Sequence, residues 1–554
     1  MTLYDNFINT IVSGLNRKSI QTCSKWAETY RVMGAPYPGL WSFKHHPWLR
    51  EMHDSKAELN VGQKAAQMGF TETVLNISLF NIDVLRESVM YILPSKIPDA
   101  ADFSSARFDV ALELSEHLAN LFTDSKNIGH KRAGSANLYI RGSKSRAGLK
   151  SVPAGFLVFD EVDEMNQKNI PLAFERSSGQ PIKKAWMIST PTADDIGINE
   201  YYKNTTQENF VFKCPACSRF ISLEFPDNLQ IVGESVLDPR LRETHLICKL
   251  CKNKLEHRDK VNFLAKGVWE PLFKGREARG FGVSQLYSTT VRPFELAVSY
   301  FKSKNNPADE QEFYNSKLGK TCTPEGTRIN DTHIQECTGD HRIEPIKGDN
   351  IITMGIDVGT HLHVWIDRWL INSKIQSLDF NIRAFAQTIG VFEIKQFEEL
   401  DNLFSAFNCH FAVCDANPER RKAFEFAMRH PGRVRLCFYG RGVYGKQINL
   451  SAERDENPEP TVTVDRTSWL DLSLGRFYNK NIAIPINIPS DAKQHLKAMV
   501  RRYKRDDDGN VTSHYIKNVN VPDHYAHARN YSEIAFPLAL DVHGYHVQNI
   551  VKAP

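Results

Sequence analysis

The sequence predicts an α/β protein with two sheet-based domains, the first of which carries a small cysteine-bearing insertion. Across residues 56–200, short apolar runs alternate with helical patterns, which is typical of an open parallel sheet. Two Cys-x-x-Cys pairs lie between residues 210 and 270. A second series of strands begins near residue 346, and two of them end in aspartate.

The composition is that of an ordinary globular protein. Hydrophobic residues make up 41% and charged residues 24% of the 554 residues, enough for two or three cores. The net charge of +4 permits a nucleic-acid partner, provided that local basic patches bind it. No run approaches the roughly 18 apolar residues of a membrane span, and the N-terminus lacks a signal-peptide layout. We therefore expect a cytosolic protein without a membrane partner.

Three apolar runs in the first half predict buried strands that end in polar residues. They are "VMYILPS" (89–95), "GFLVFDE" (155–161) and "KAWMISTPT" (184–192). The stretches "TETVLNISLF" and "DAADFSSARFDVALELSEHLANLF" predict helices between them. In such a sheet, ligands bind at the carboxyl ends of the strands.

The stretch "VGQKAAQMGFTETVLN" (61–76) approximates the phosphate-binding pattern G-x-x-x-x-G-K-[ST]. Gly69 and Thr71 stand at the second glycine and the hydroxyl, but Phe70 fills the lysine position and Lys64 stands at the first position. Small residues let backbone amides approach phosphate oxygens, and a long lysine side chain can reach them from the entrance of the loop. Taken alone, the loop also fits a chance match. The candidate nucleotide-binding residues are Lys64, Ala65, Ala66, Gln67, Met68, Gly69, Phe70 and Thr71.

A second signal follows about ninety residues later, where the strand "FLVFDE" runs into Asp160 and Glu161. Adjacent carboxylates at the end of a buried strand are costly unless a metal ion or a water molecule uses them. In P-loop ATPases such an aspartate holds Mg²⁺, and the glutamate activates the attacking water. The alternative is a pair of solvated acids. Thr190, in "STPT", is a candidate sensor of the γ-phosphate.

The cysteine pairs "CPAC" and "CKLC" have the spacing C-x2-C-x30-C-x2-C. Each pair presents two thiolates from one turn, and two such turns complete a tetrahedral Zn²⁺ site with no open position. A closed site of this kind is structural, so we expect a small zinc ribbon at about 210–270. The alternative is four unrelated buried thiols. The predicted zinc ligands are Cys214, Cys217, Cys248 and Cys251.

Three aspartates in the second half stand at the ends of different elements. Asp357 follows "MGI", Asp415 follows the strand "FAVC", and Asp523 begins a predicted helix with His527 one turn later. Such acids can hold two Mg²⁺ or Mn²⁺ ions for phosphodiester cleavage, and the order strand, strand, helix is that of an RNase H-like nuclease. Asp523 also fits a simple helix cap. His527 fits a ligand, a proton shuttle or a buried histidine.

The stretch "VRRYKRDDDGNVTSHYIK" (500–517) predicts a hairpin around Asp508-Gly509. Its basic arm can follow a DNA backbone, or it is a solvated charged surface. The basic residues are Arg501, Arg502, Lys504 and Arg505.

In this order, the motifs resemble those of the large terminase subunit of tailed bacteriophages, in the lambda-type (GpA-like) branch. The residues that carry the resemblance are "KAAQMGFTE", "YILPS", "DFSSARF", "FLVFDEVDEM", "MISTPT", "CPAC", "CKLC", "GVWEP", "FYNSKLGK", "MGIDVG", "TVDRTSWLD" and "VPDHYAHARNYSEIA". In that branch the phosphate lysine stands early in the loop, which identifies Lys64 as the displaced lysine.

The resemblance implies three segments. Residues 1–55 are a helical segment on the adenine side, residues 56–345 an ASCE-type P-loop ATPase with the zinc ribbon and a helical linker, and residues 346–554 an RNase H-like nuclease. It further implies ATP, Mg²⁺ or Mn²⁺, and Zn²⁺ as cofactors. We expect an aromatic side chain, Tyr37 or Trp41, to stack on adenine. The arginine finger is Arg141, Arg146 or Arg176, or comes from another subunit.

The resemblance also implies a motor that moves double-stranded DNA into a procapsid and a nuclease that cuts concatemeric DNA. The expected partners are DNA, a small terminase subunit at the N-terminal region and the portal protein near the C-terminus, with a ring oligomer on the portal. The expected location is the cytoplasm of the infected host and not the mature virion. Two alternatives remain: a zinc-containing transposase or integrase-like recombinase, and a non-enzymatic DNA-binding scaffold.

Overall fold

The computed structural model describes residues 22–122, 127–150, 152–324, 326–346, 348, 350–372, 379–440, 443–451, 460–505, 510–545 and 547–552. The chain forms two compact units, Met1–Thr323 and Pro324–Pro554. The division comes earlier than the boundary predicted near residue 345, because Ile329, Ile334 and Cys337 belong to a hydrophobic core of the second unit. Most of the predicted N-terminal helix falls on residues 1–21, outside the described residues. No described helix has the length and apolarity needed to cross a membrane.

The first unit is built on one large sheet. The strands of this unit, not all of which belong to the large sheet, are β1 (Val32–Met33), β2 (Gly39–Leu40), β3 (Leu59–Lys64), β4 (Val89–Leu93), β5 (His130–Ala133), β6 (Ala136–Gly142), β7 (Phe156–Asp160), β8 (Lys184–Ser189), β9 (Glu208–Lys213), β10 (Phe220–Ile221), β11 (Leu229–Gln230), β12 (His245–Ile247), β13 (Lys254–Leu255), β14 (Val268–Pro271) and β15 (Arg279–Val283). The large sheet has the order β10-β9-β15-β3-β8-β7-β4-β6-β5, with β14 also paired to β9.

The central strands from β9 to β6 are parallel, and β5, β10 and β14 are antiparallel to their neighbours. The three predicted strands are β4, β7 and β8. Strand β8 lies between β3 and β7, so the carboxyl ends of all three meet at one edge of the sheet. This edge is where a parallel sheet binds its ligands.

Helices cover the sheet on both sides. They are Cys23–Tyr30, Leu49–His53, Phe70–Phe80, Ala101–Phe103, Val110–Leu114, Glu116–Leu121, Arg146–Lys150, Ile170–Phe174, Ile198–Lys203, Lys260–Leu264, Pro293–Ser303 and Pro307–Glu312. The long helix predicted after residue 98 is interrupted at Ser115, whose backbone is extended. The Ser115 hydroxyl donates to the Tyr30 carbonyl and accepts from the Leu118 amide, so it caps a new helix.

The second unit contains a mixed sheet. Its strands are β16 (Ile351–Val358), β17 (Leu362–Ile371), β18 (Ala384–Ile394), β19 (Phe411–Asp415), β20 (Val434–Tyr439), β21 (Ile448–Leu450), β22 (Thr461–Val464), β23 (Ile482–Ala483), β24 (Val500–Arg505), β25 (Val511–Ile516) and β26 (Ile550–Lys552). The sheet order is β23-β18-β17-β16-β19-β20-β22-β21-β26, and β24 and β25 form a separate hairpin. Its helices are Asp331–Glu336, Phe380–Arg383, Glu398–Ala406, Arg420–Arg429, Arg466–Tyr478, Ser490–Ala498 and His524–Val542.

The helix His524–Val542 packs across β16, β17 and β19. Gly355, in β16, makes this approach possible, because a Cβ there would lie 2.0 Å from the Ala528 carbonyl oxygen and 2.2 Å from the Ser532 amide nitrogen. Two residues beyond this crossing, β16 reaches Asp357. The crossing therefore fixes the start of the helix close to the end of the strand.

A buried ionic cluster lies behind this crossing. Glu533 accepts hydrogen bonds from Arg476 at 2.6 Å and from Arg529 at 2.8 Å, and all three side chains are almost fully buried. Asp367 lies 3.5 Å from Arg529 and completes the charge balance. Burial alone would raise the pKa of Glu533, but the two guanidinium groups lower it to about 2.

Replacing Glu533 with glutamine is expected to lower the free energy of unfolding by about 3–5 kcal/mol. The guanidinium groups of Arg476 and Arg529 would then remain in a dry interior with Asp367 as the one carboxylate of the cluster. The measurement is urea unfolding of both proteins. Glu425→Gln, which breaks the exposed pair with Arg421, is the matched control and is expected to cost about 0–1 kcal/mol. Equal effects of the two substitutions would contradict the structural role of the cluster.

Candidate functional site

The loop between β3 and the helix Phe70–Phe80 has the shape of an anion site. Gln67 and Gly69 have left-handed backbone conformations, with φ of 62° and 83°. A Cβ on Gly69 would lie 2.7 Å from a methyl group of Leu49, so the turn requires glycine. The amides that follow, up to Thr71, stand at the N-terminal end of the helix, where the backbone favours negative charge.

Phe70 explains why the lysine is displaced. Its side chain is buried, and its ring lies over Gly62, where a Cβ would come within 2.6 Å of the ring. The usual lysine position therefore faces the core of this unit and cannot carry a charge without a large desolvation cost. Lys64, at the end of β3, directs its ammonium group to the sheet edge instead.

Lys64 and Thr71 meet the two acids at the end of β7. Lys64 Nζ lies 2.9 Å from Glu161 Oε1, and Thr71 Oγ1 lies 3.4 Å from Asp160 Oδ1. The Tyr91 hydroxyl donates to Asp160 Oδ2 at 2.7 Å. Burial and the adjacent Glu161 raise the pKa of Asp160 to about 6. The structure therefore brings together the lysine, the hydroxyl and both predicted carboxylates.

The loop is also bonded to the rest of the first unit. The Ala65 and Ala66 amides donate to the carbonyls of Val283 and Ser316, so these two predicted residues do not direct free amides at a ligand. Gln285 donates to the Ala66 carbonyl, and Trp48 donates to the Met68 carbonyl. These bonds hold the loop in its open shape.

A cleft of about 670 Å³ opens in front of the loop. Of the two aromatic residues predicted to stack on adenine, Tyr37 lines this cleft, where its ring stacks on His45 at 4.5 Å. Trp41 is buried between Phe43 and His53 and does not line the cleft. Thr190 lines the cleft at the end of β8.

The three predicted arginine fingers do not line the cleft. Arg141 donates to the Gly129 carbonyl, Arg176 donates to the Lys150 carbonyl, and Arg146 is exposed on a helix. Among the described cleft residues, the arginines are Arg31 and Arg107. Neither arginine was predicted from the sequence as a site residue, although the motif "DFSSARF" contains Arg107.

Arg31 and Arg107 both bind Glu72 in the first turn of the loop helix. Their guanidinium groups lie 2.8 Å and 2.6 Å from the two oxygens of Glu72. The Arg31 side chain is buried, whereas the Arg107 side chain lines the cleft and is 46% exposed. Arg107 is therefore the arginine that can turn toward a bound phosphate.

The four predicted zinc ligands converge. Cys214 and Cys217 lie on the turn after β9, and Cys248 and Cys251 on the turn after β12. Their sulfurs lie within 4.8 Å of one another, with 3.9 Å between Cys214 and Cys251 and 4.0 Å between Cys217 and Cys248. A tetrahedron with Zn–S bonds of about 2.3 Å has edges of about 3.8 Å, so the four side chains fit Zn²⁺.

The local backbone of the two cysteine turns is alike. Ser218 and Lys252 have positive φ and donate to the carbonyls of Cys214 and Cys248. Hydrogen bonds from Arg219 lower the pKa of Cys217 to about 6, which favours the thiolate that a metal requires.

The three predicted nuclease aspartates lie at one end of the second sheet. Because β16 and β19 are parallel with Ile356 opposite Cys414, Asp357 and Asp415 are neighbours at the strand ends. Asp523 directly precedes the helix that crosses β16. Burial and the neighbouring Asp357 raise the pKa of Asp415 to about 6.

Basic side chains lie against these aspartates. Lys517 binds Asp523 at 2.5 Å, and His527 lies 3.4 Å from the other Asp523 oxygen. Although burial acts in the opposite direction, these two bases hold the pKa of Asp523 well below its usual range. His524 lies 2.8 Å from Asp357.

In the part of the chain that the structure describes, the three aspartates do not form a set whose ligand atoms all lie within 4.8 Å of one another. Asp357 forms such a set with His363 and His524, two residues that the sequence analysis did not select. The pattern "HLH" after Asp357 was the available signal, because it places a histidine opposite the aspartate across a tight turn.

The predicted basic hairpin is present as β24 and β25, with Val500 opposite Ile516. Arg501 is bound to Asp471 at 2.6 Å, so this arginine is part of the fold of the second unit. The side chain of Arg505 and the predicted turn at residues 508 and 509 lie outside the described residues.

Residues 35–269 match the family described as the ATPase domain of the phage terminase large subunit gpA. This match confirms the resemblance that the motifs predicted. No curated protein matches the sequence.

Solved structures also resemble the chain. The crystal structure of the HK97 bacteriophage large terminase is 10% identical, covers 93% of this chain and 99% of its own, and has a TM-score of 0.50. A large terminase from a thermophilic bacteriophage is 10% identical over 89% of this chain and 98% of its own, with a TM-score of 0.30. The large terminase nuclease of thermophilic phage G20c is 12% identical over 36% and 95%, with a TM-score of 0.23. The likeness to the HK97 protein confirms the predicted fold class.

Asp160→Asn is expected to raise the melting temperature of the nucleotide-free protein at pH 8, because it removes a buried carboxylate whose ionisation is unfavourable. Because the pKa of Asp160 is raised in the folded state, the destabilisation caused by its ionisation grows as the pH rises from about 4 to about 6 and is constant above that. The difference in melting temperature should therefore be largest above pH 6 and vanish near pH 4. A difference that does not change with pH, measured by thermal unfolding in metal-free buffer, would contradict this interpretation.

Proposed function

We propose that this chain, a terminase large subunit whose residues 35–269 match the gpA ATPase domain family, hydrolyses ATP to move double-stranded DNA and cuts that DNA with a separate metal-dependent site. The observation that carries the proposal is the convergence of Lys64, Thr71, Asp160 and Glu161 at one edge of a parallel sheet. A chance loop match would not place a displaced lysine 2.9 Å from the second acid of the β7 strand.

Each residue of this convergence has a role in ATP hydrolysis. The amides from Gln67 to Thr71 and the Lys64 ammonium bind phosphate oxygens. Thr71 and Asp160 hold the Mg²⁺ ion that accompanies the triphosphate, and Glu161 accepts a proton from the attacking water. Tyr37 stacks on the base.

The contact between Lys64 and Glu161 gives the site a resting state. While the two are paired, the lysine is not available to phosphate and the glutamate is not available to water. A bound triphosphate competes for Lys64 and thereby frees Glu161. Glu161 therefore becomes available as a base only when a triphosphate is bound. Thr190, at the end of β8, can sense the γ-phosphate.

In the second unit, Asp357, Asp415 and Asp523 hold the Mg²⁺ or Mn²⁺ ions for phosphodiester cleavage. The position of the three aspartates at one sheet end supports this role. Ions held there would supply an activated hydroxide and charge stabilisation for the leaving oxygen. His527 lies against Asp523 and can accept or donate a proton there. The four cysteines hold Zn²⁺ and thereby fold the ribbon, with no catalytic part.

The partners follow from a packaging motor: concatemeric DNA, the portal protein of a procapsid and a small terminase subunit, with several copies of this chain in a ring on the portal. The setting is the cytoplasm of an infected host, and the mature virion lacks the chain. A recombinase is distinguished by its product, because a recombinase would join DNA ends, whereas this enzyme only cuts DNA.

Two substitutions test the separation of the sites. Glu161→Gln is expected to lower ATP turnover by at least about 10³-fold, because the attacking water loses its base, and to leave Mn²⁺-dependent plasmid cutting unchanged. Asp357→Asn is expected to abolish cutting and to leave ATP turnover unchanged. Phosphate release and agarose gels with the purified full chain measure the two activities.

Each variant is the control for the other, and circular dichroism shows that both are folded. Loss of both activities in either folded variant would contradict two separate sites. Unchanged ATP turnover in Glu161→Gln would remove this glutamate from catalysis.

Arg107 is proposed to stabilise the charge that develops on the transferred phosphoryl group. Arg107→Ala is therefore expected to lower kcat for ATP by about 10³-fold with little change in KM. Arg146→Ala, which removes an exposed arginine outside the cleft, is the matched control and should have normal kcat. A normal kcat in Arg107→Ala would show that the arginine comes from another position or another subunit.

A further inference from the structure

We infer that Asp357, His363 and His524 form a binding site for a late transition-metal ion, distinct in its donor atoms from the three-aspartate site. The inference rests on the proposed nuclease function only in that both sites use Asp357. It concerns which metal the second unit selects.

The fold brings the three side chains together by two independent constraints. Asp357 and His363 are directly opposite each other in the antiparallel pair β16 and β17. The close crossing at Gly355 places His524, the first residue of the helix, beside them. One ligand atom from each of the three side chains then lies within 4.8 Å of the other two.

The three side chains already contact one another. His524 Nδ1 lies 2.8 Å from Asp357 Oδ2. The rings of His363 and His524 are stacked with 4.6 Å between their centroids. Asp357 is buried, whereas 38% of the His524 side chain is exposed, so an ion can enter from the side of the helix terminus.

His363 points to a ligand that is not protein. Its side chain is only 7% exposed, and its Nδ1 is buried with no hydrogen-bond partner among the described residues. A buried polar atom without a partner costs about 1–3 kcal/mol, so a purely structural position would favour an apolar side chain. Donation of the Nδ1 lone pair to a metal ion would remove this cost.

The donor atoms decide the class of metal. Mg²⁺ takes oxygen ligands almost exclusively, whereas imidazole nitrogen suits Zn²⁺, Cu²⁺, Fe²⁺ and Ni²⁺. Two imidazoles and one carboxylate therefore favour a late divalent transition metal over Mg²⁺. Because three protein ligands leave coordination positions open, water or a phosphate oxygen can complete the shell. The thiolate cluster of the zinc ribbon is a closed site of a different kind.

The site also changes the part that Asp357 plays. Its Oδ2 faces His524, so its other oxygen remains for an ion held with Asp415 at the neighbouring strand end. A carboxylate shared in this way joins an ion with nitrogen ligands to an ion with oxygen ligands. Metal selectivity of the proposed nuclease would then depend on the two histidines.

The test uses Ni²⁺ as the probe with the full chain and its zinc in place. Calorimetric titration of the wild type is expected to show a Ni²⁺ site that a millimolar excess of Mg²⁺ does not displace. His363→Leu should weaken this site at least about tenfold, since it removes one of three ligands. It should also abolish the rise in melting temperature that Ni²⁺ causes. Without Ni²⁺, its melting temperature should equal or exceed that of the wild type, because an unpartnered nitrogen is removed.

Two further variants keep the test decisive. His524→Ala alters a half-exposed residue and should lose the same Ni²⁺ site, even if His363→Leu does not fold. His361→Gln removes an exposed neighbouring histidine that binds Glu393, and should bind Ni²⁺ as the wild type does. Wild-type Ni²⁺ affinity in His524→Ala, or displacement of Ni²⁺ by Mg²⁺, would overturn the inference.

The result is separable from the proposed function. If the wild type cuts DNA and the histidine variants bind Ni²⁺ normally, the nuclease proposal stands and this inference fails. If the variants lose Ni²⁺ but the wild type cuts no DNA with any metal, the site stands and the nuclease proposal fails.

Discussion

Both candidate sites depend on one electrostatic constraint: carboxylates gathered at the ends of buried strands repel one another and lose hydration. Until a cation binds, either a protein base lies against such a carboxylate or its pKa is raised. In the first unit this base is Lys64, which pairs with Glu161. In the second unit, Lys517 pairs with Asp523, and His524 pairs with Asp357. In the proposed mechanism, each base stands where positive charge is needed.

Among the described residues, Asp160 and Asp415 have no basic side chain as hydrogen-bond partner, and both show the same constraint. Burial and an adjacent acid raise the pKa of Asp160 and of Asp415 to about 6. These two side chains gain most from a metal ion, because an ion removes both the repulsion and the desolvation cost. The pattern is equivalent in the two units, although their sheets differ: one is mainly parallel, and the other begins with three antiparallel strands.

Much of this arrangement could be predicted because it depends on local sequence. Apolar runs that end in acids identify β7, β16 and β19, and two short Cys-x-x-Cys turns identify the four-cysteine cluster. What could not be predicted depends on contacts between distant residues. The reason that Phe70 replaces a lysine is its packing over Gly62, and the interruption at Ser115 depends on the Tyr30 carbonyl. The paired histidines beside Asp357 require the crossing at Gly355, which no periodicity reveals.

The segment 315–321 shows how the phosphate loop is connected to the rest of the first unit. It accepts hydrogen bonds at two carbonyls: Ser316 from the Ala66 amide in the loop, and Gly319 from the Gln63 side chain in β3.

The same segment reaches the residues after β8, where Asn315 donates to the Thr192 carbonyl and Thr321 donates to Asp194. Gly319 must be glycine, because a Cβ there would lie 2.6 Å from the Ala65 amide nitrogen. A phosphate-dependent shift in either the loop or the "STPT" stretch therefore has to displace this segment. Since the first unit ends only two residues beyond Thr321, this segment is the last part of the first unit in sequence.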